Sequence, residues 1–259
     1  GCCATASGDL NNATKTLTST TQTLSGNFSI NGILDINGSG ILELDGASIS
    51  LSKDAKIMVG SACTLKIVNN CHLYYCDNTK WSGIILASGA VLEVNSSMIE
   101  DAKNAIFVTP TSKFSIISSL FNNCTNSIKI QGIASNTILD GYVRNTVFTA
   151  RNIDFSSPVS TLVNNLRGTN ADVNIDSKVK STLSSKAAIE VIELGASSAT
   201  AIYNLKIGDE SYSYINGGNL FDNHDYGVKA ENSNVNIVNN YFQEMYGNDK
   251  SSNSTGIGV

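Results

Sequence analysis

The chain offers few side chains for acid–base chemistry. The acids that stand out are Glu93, Glu100, Asp101, Asp222 and Asp225, and the bases are Lys129, Arg144, Arg151 and Arg167. Two carboxyls at a fixed separation can protonate a leaving group and activate water. A basic side chain can take a proton from carbon when a second cation neutralises the neighbouring charge. The only histidines are His72 and His224, and the six cysteines are Cys2, Cys3, Cys63, Cys71, Cys76 and Cys124. Their spacing fits no zinc signature, so no metal or cofactor is expected. Buried thiols are the reading for the cysteines, with a Cys71/Cys76 or Cys63/Cys76 disulfide as the alternative. No Gly-rich phosphate loop, Ser/His/Asp set or nucleophilic cysteine motif is present.

The elements that must carry these groups are poor in charge. The 259 residues hold 17 Lys+Arg against 22 Asp+Glu, a net charge of −5, and 15% charged residues in all. Binding to nucleic acid or to an anionic membrane needs basic patches, which this balance argues against. Ser, Thr, Asn and Gly dominate the polar positions, and these residues suit turns and flat strands better than helices. No apolar run is long enough to cross a bilayer.

Repetition supplies the architecture. "VLEVNSSMIEDAKNAIFV" (91–108) lies over "KFSIISSLFNNCTNSIKI" (113–130) at an offset of 22 without a gap. Leu92 then falls on Phe114, Val94 on Ile116, Ala102 on Cys124, Asn104 on Asn126 and Ile106 on Ile128. "SNVNIVNNYF" (233–242) and "LFDNHDYGVKA" (220–230) are further copies, and "VRNTVF" (143–148) and "LVNNL" (162–166) read as weaker ones. Apolar pairs therefore recur at 98, 120, 147, 220 and 241. Each unit holds short strands separated by one- or two-residue polar corners and cannot bury its own apolar face. Stacking unit on unit, with hydrogen bonds between successive coils, solves that problem. Asparagine tolerates positive φ, so Asn239-Asn240 can turn the chain, and stacked amides can bond along the axis. Segment 98–108 could be drawn as an amphipathic helix, but no long 3.6-residue periodicity survives elsewhere.

By these residues the chain resembles the right-handed parallel β-helix repeats of the pectate-lyase-like superfamily. "WSGIILASGAVLEVNSSMIEDAKNAI" (81–106) is similar to β-helix segments of Bacteroidetes surface and secreted proteins. The resemblance covers 56–130 and 213–259 well, 20–55 less well, and 150–210 poorly. The expectation is an all-β, right-handed parallel β-helix of about ten coils over 31–259. Residues 1–30 are expected as an irregular N-terminal cap, 150–210 as longer coils or a lateral extension, and 246–255 as a loop. Gly256–Val259 takes the place of Ala105–Val108, so a flanking domain or another subunit is expected to cover the C-terminal coil. Gly1-Cys2 resembles the end of a bacterial lipoprotein signal, which would put a lipid anchor on Cys2. The alternative is a residual tag glycine.

The resemblance also sets the functional expectations. Enzymes of the superfamily are chiefly polysaccharide lyases and glycoside hydrolases. A lyase would draw on Arg144 and Arg151, seven residues apart, in a cleft bordered by 150–210. A hydrolase would need stacked acids, yet Glu93 lies over Ser115, and Glu100 and Asp101 lie over Asn122 and Asn123. No Asn-Thr-Asp, Asp-Asp or His-Gly motif of the polygalacturonases is present. The leading expectation is therefore a non-catalytic module of a bacterial surface or secreted protein, extracellular and adhesive or glycan-binding. Tyr75, Trp81, Tyr212, Tyr214 and Tyr246 are its candidate sugar platforms. A trimeric fibre segment is a further alternative.

Overall fold

The computed structural model describes residues 8–75, 79–132, 140–153, 155–168, 176–179, 187–193, 204–210, 218–233 and 235–243. Tyr212, Tyr214, Tyr246, the 246–255 loop, Cys2, Cys3, Cys76 and the C-terminal coil lie outside them.

Parallel strands wind into a β-helix solenoid of about eight turns. Face I is a nine-stranded sheet that begins at Gly8–Asp9, passes through Met98–Glu100, Leu120–Asn122 and Val147–Thr149, and ends at Leu220–Asp222 and Tyr241–Gln243. A 14-stranded sheet holds faces II and III, and Arg151–Asn152 pairs with Asp176–Val179 as a separate antiparallel two-stranded sheet. The early strands Ala13–Leu24 and Ile33–Asp45 run along both faces without a break. Later coils divide, so that Lys56–Val59 lies on face II and Cys63–Val68 on face III.

The expected register holds. Leu92 pairs with Phe114 and Val94 with Ile116. Asn104 pairs with Asn126 and Ile106 with Ile128. The five apolar pairs form one column.

Two expectations need correction. Residues 13–24 are not an irregular lead-in. They form the first long strand, because Leu17 at 2% exposure and the half-buried Leu24 face the interior while threonines alternate outward. The turns number about eight rather than ten because the steps are unequal. Val91 pairs with Lys113 and Lys113 with Asp140, but Asp140 pairs with Asn204, so one turn consumes 64 residues.

Inside, most of the Leu, Ile and Val side chains stack in columns at 0–1% exposure. Along face I the column is aromatic. Phe121, Phe148, Phe221 and Phe242 lie ring on ring, with centroids 5.2, 5.0 and 4.8 Å apart. Where the chain has left face I and enters face II, a side chain has no room at the first strand residue. Gly83 has φ +122°, and a Cβ there would sit 1.6 Å from the Asn104 carbonyl oxygen.

Corners explain the polar residues. Ser96, Ser118, Asn145 and Asn239 precede face I with φ of 48–54°, and Asp101, Asn123 and Asn223 follow it with φ of 54–61°. Small polar residues of this kind tolerate left-handed backbone. The next residue at each entry corner turns inward and satisfies the backbone. The hydroxyls of Ser97, Ser119 and Thr146 donate to the carbonyls of Asn95, Ile117 and Arg144 at 2.9, 2.8 and 2.9 Å. Asn219 Oδ1 accepts the Thr146 N–H at 3.0 Å, and Asn240 Oδ1 accepts the Asn219 side-chain amide at 2.8 Å. The Asn-Asn interruption is therefore a sharp turn joined to an amide ladder.

Face I is buried on its outer side too. The first members of the apolar pairs, Met98, Leu120, Val147 and Leu220, point outward yet are 0–1% exposed. A lateral extension covers them. Its helix α1 (Val159–Leu166) presents Val159, Leu162, Val163 and Leu166, spaced i, i+3, i+4 and i+7, to that column. The Pro158 carbonyl accepts the Leu162 N–H at 3.1 Å, and Asn70 Oδ1 accepts the Val159 N–H at 2.9 Å. Residues 162–166 are thus helix rather than a repeat copy. Their Asn-Asn pair mimics the corner motif, but the surrounding apolar spacing is helical. Tyr241, one rung beyond Leu220, is 47% exposed.

Candidate ligand surface

Acid–base groups are the first to be placed. Arg144 ends the face III strand Asp140–Arg144 and Arg151 follows the face I strand Val147–Thr149. The corner and a face I strand separate them, with Arg144 paired to Asp209 and Arg151 to Asp222. Arg151 donates to both Asp222 oxygens through Nε and Nη2, at 2.5 and 2.8 Å. Asp222 is fully buried and also accepts the Thr149 hydroxyl at 2.7 Å and the Gln243 amide at 2.9 Å. Burial works against its charge, but the Arg151, Thr149 and Gln243 donors outweigh that and hold its carboxyl below the usual range. A carboxylate so held is an anchor for the extension.

Lys129, Glu93, Glu100 and Asp101 are similarly committed. Lys129 pairs with Glu190 at 3.0 Å, Glu93 with Lys66 at 2.9 Å, and Glu100 with His72 at 2.7 Å. The Asn123 amide donates to Asp101. His224 is 1% exposed, and burial pushes its pKa down to about 4. Cys63, Cys71 and Cys124 are buried free thiols, and burial pushes Cys124 up to about 12, far from a thiolate nucleophile. Among the described residues no three His, Cys, Asp or Glu side chains are grouped to hold a metal. No described helix is long and apolar enough to cross a membrane.

Two predicted sugar platforms are packing residues. Trp81 is fully buried, bridges Ala102 and donates its indole N–H to the Glu100 carbonyl at 2.8 Å. Large Trp81 fits this corner because Ala102 above it is small. Tyr75 is 9% exposed, and its hydroxyl accepts the Thr79 hydroxyl at 2.5 Å. Neither ring offers a face to a glycan.

Face III carries a shallow groove of about 180 Å³ across three coils. Glu93, Ser115 and Tyr142 stand outward in one column, and Val91, Lys113 and Asp140 in the next. Short Ser115 lies between two long side chains, one rung away on each side, and so forms the floor. Beneath, Gly141 takes the place held by Leu92 and Phe114 in earlier coils. A Cβ at Gly141 would lie 2.6 Å from the Phe114 ring, so the glycine makes room for Phe114. Tyr142 is fixed from two sides. Its hydroxyl donates to Asp209 at 3.1 Å, and the Arg144 guanidinium lies 5.4 Å from its ring centre while pairing with the same Asp209 at 3.4 Å.

The sequence put Glu93 over Ser115 and singled out Arg144, but it pointed to neither Tyr142 nor Asp209. Tyr142 was legible in principle, since it alternates with Val143, the first residue of the copy at 143–148. Asp209 was not, because it reaches this face only after the 64-residue turn. Comparison of the chain with family models, with curated proteins and with solved structures finds no match. The parallel β-solenoid therefore stands on the strand register alone.

Proposed function

We propose that this chain is a non-catalytic β-solenoid that binds polysaccharide along face III, as an adhesive part of a secreted or surface protein of a bacterium. The finer kinship, with the pectate-lyase-like superfamily and with surface β-helices of Bacteroidetes, belongs to the same proposal and rests on the repeat pattern. The observation that carries the reading is the groove walled by a pre-oriented Tyr142 and floored by Ser115. A rigid aromatic beside hydroxyl and charged hydrogen-bonding groups is the usual equipment for holding a sugar ring. Against catalysis, Arg144 and Arg151 occupy different faces and each is tied to an aspartate.

The test exposes the purified chain to neutral and acidic polysaccharides and follows retardation in polymer-containing gels, together with new reducing and unsaturated ends. Retardation without new ends is expected, and Tyr142→Ala is expected to weaken it about tenfold, equivalent to ~1.4 kcal/mol. Turnover that disappears in Arg144→Ala or Arg151→Ala would replace this reading with a lyase.

A further inference from the structure

We propose that the face III groove selects uncharged polysaccharides over polyanionic ones such as polyuronates, an inference that rests on the glycan-binding reading above. The charges around the groove cancel locally. Lys66 meets Glu93 at 2.9 Å, Lys113 meets Asp140 at 3.9 Å, and Arg144 meets Asp209 at 3.4 Å. Recognition of a carboxylate or sulfate on every sugar needs cations aimed at the ligand, and these three are aimed at acids of the protein itself. To reach a polyuronate each would have to leave its partner, and the freed carboxylate would then repel the incoming chain.

Long-range fields point the same way. Lys206, in register with Tyr142, is followed in the next coil by Asn236, whose amide donates to Glu210 at 3.3 Å and so keeps an acid near it. In the coil before Lys66, Glu43 continues the Glu93 column and Asp45 lies two residues on, in register with Lys66 and Val68. The face is thus neutral at the groove and acidic above it, which does not attract polyanions. Hydroxyl groups suit it better, because ion-paired carboxylates and ammonium groups keep lone pairs and protons available for neutral donors and acceptors. Adjacent coils are about 4.8 Å apart, close to the length of one sugar in an extended chain, so successive rings could meet successive rungs.

The experiment measures affinity for hydroxyethyl cellulose, dextran and galactomannan as neutral probes and for polygalacturonate as the anionic one, at low and raised salt. At least one neutral polymer is expected to bind ten times or more tighter than polygalacturonate, with little salt dependence. Asp140→Asn, which releases Lys113, is expected to shift the ratio several-fold toward polygalacturonate at low salt. Polygalacturonate binding as tight as, or tighter than, every neutral probe would overturn the selectivity while leaving polysaccharide binding in place. Retention of none of the four polymers would overturn the binding reading and this inference with it.

Discussion

Phe148→Ala is expected to lower the free energy of unfolding by about 3–5 kcal/mol, the range for truncating a buried aromatic. Phe148 is fully buried and contacts two other rings of the face I column, Phe121 at 5.2 Å and Phe221 at 5.0 Å. The loss combines apolar transfer, the cavity and two ring contacts worth roughly 0.5–1.5 kcal/mol each. A solenoid bonds each coil only to its neighbours. Amide exchange should therefore quicken first in the strands Leu120–Asn122 and Leu220–Asp222 on either side. Phe148→Leu retains most of the volume and should cost less than half as much. Urea titration of the three proteins measures both effects. A loss under about 1 kcal/mol for the alanine variant would mean that Phe148 does not lie between two coils.

Acid should weaken the fold in two stages. His224 stays neutral because it is buried, with a pKa of about 4 against 6.5 for the exposed side chain; Asp222 opposes this shift and Lys80 adds to it. Between pH 6.5 and 4 the unfolded chain binds a proton that the folded chain refuses. Stability due to this group is thus full above pH 6.5 and falls as pH drops toward 4, by about 3 kcal/mol in all. Asp222 acts lower on the scale. Its folded pKa is depressed, so its contribution is full above the ordinary carboxylate range and is lost as pH falls through the folded value. Thermal or urea unfolding from pH 8 to 3 should show a decline that begins near 6.5 and continues below 4. His224→Gln should flatten the upper part and leave the lower one. An unchanged slope between pH 6.5 and 4 in that variant would remove His224 as the cause.

The parts of the architecture that were legible in the chain are those fixed by strict spacing. Leu92 over Phe114 and Val94 over Ile116 could be read because alternation and a constant step of 22 coincide there. The corner role of Asn239 could be read because few residues accept its backbone. Spacing failed where the extension intervenes. The outward members of the apolar pairs, Met98 and Leu120, look redundant until α1 lies on them. The partner helix repeats the Leu-Val-Asn-Asn vocabulary of the coils, which hid it. Aromatic residues were ambiguous for a similar reason. In alternating strands an aromatic ring faces in or out by parity, and Trp81 lies at a corner where parity lapses. Tyr142 keeps its parity, but its copy begins after a 27-residue step, and its partner Asp209 arrives one irregular turn later.

Coil-on-coil register is the claim on which the groove, the aromatic column and the corner ladders all depend. Interstrand nuclear Overhauser effects from the Val91–Asn95 backbone test it most directly. The register predicts contacts of Leu92 with Leu65 on one side and Phe114 on the other, and of Val94 with Ile67 and Ile116, all in parallel sense. Cross-peaks that instead pair Val91–Asn95 with Met98–Glu100 as an antiparallel hairpin would contradict the stacked spiral and the surface built on it.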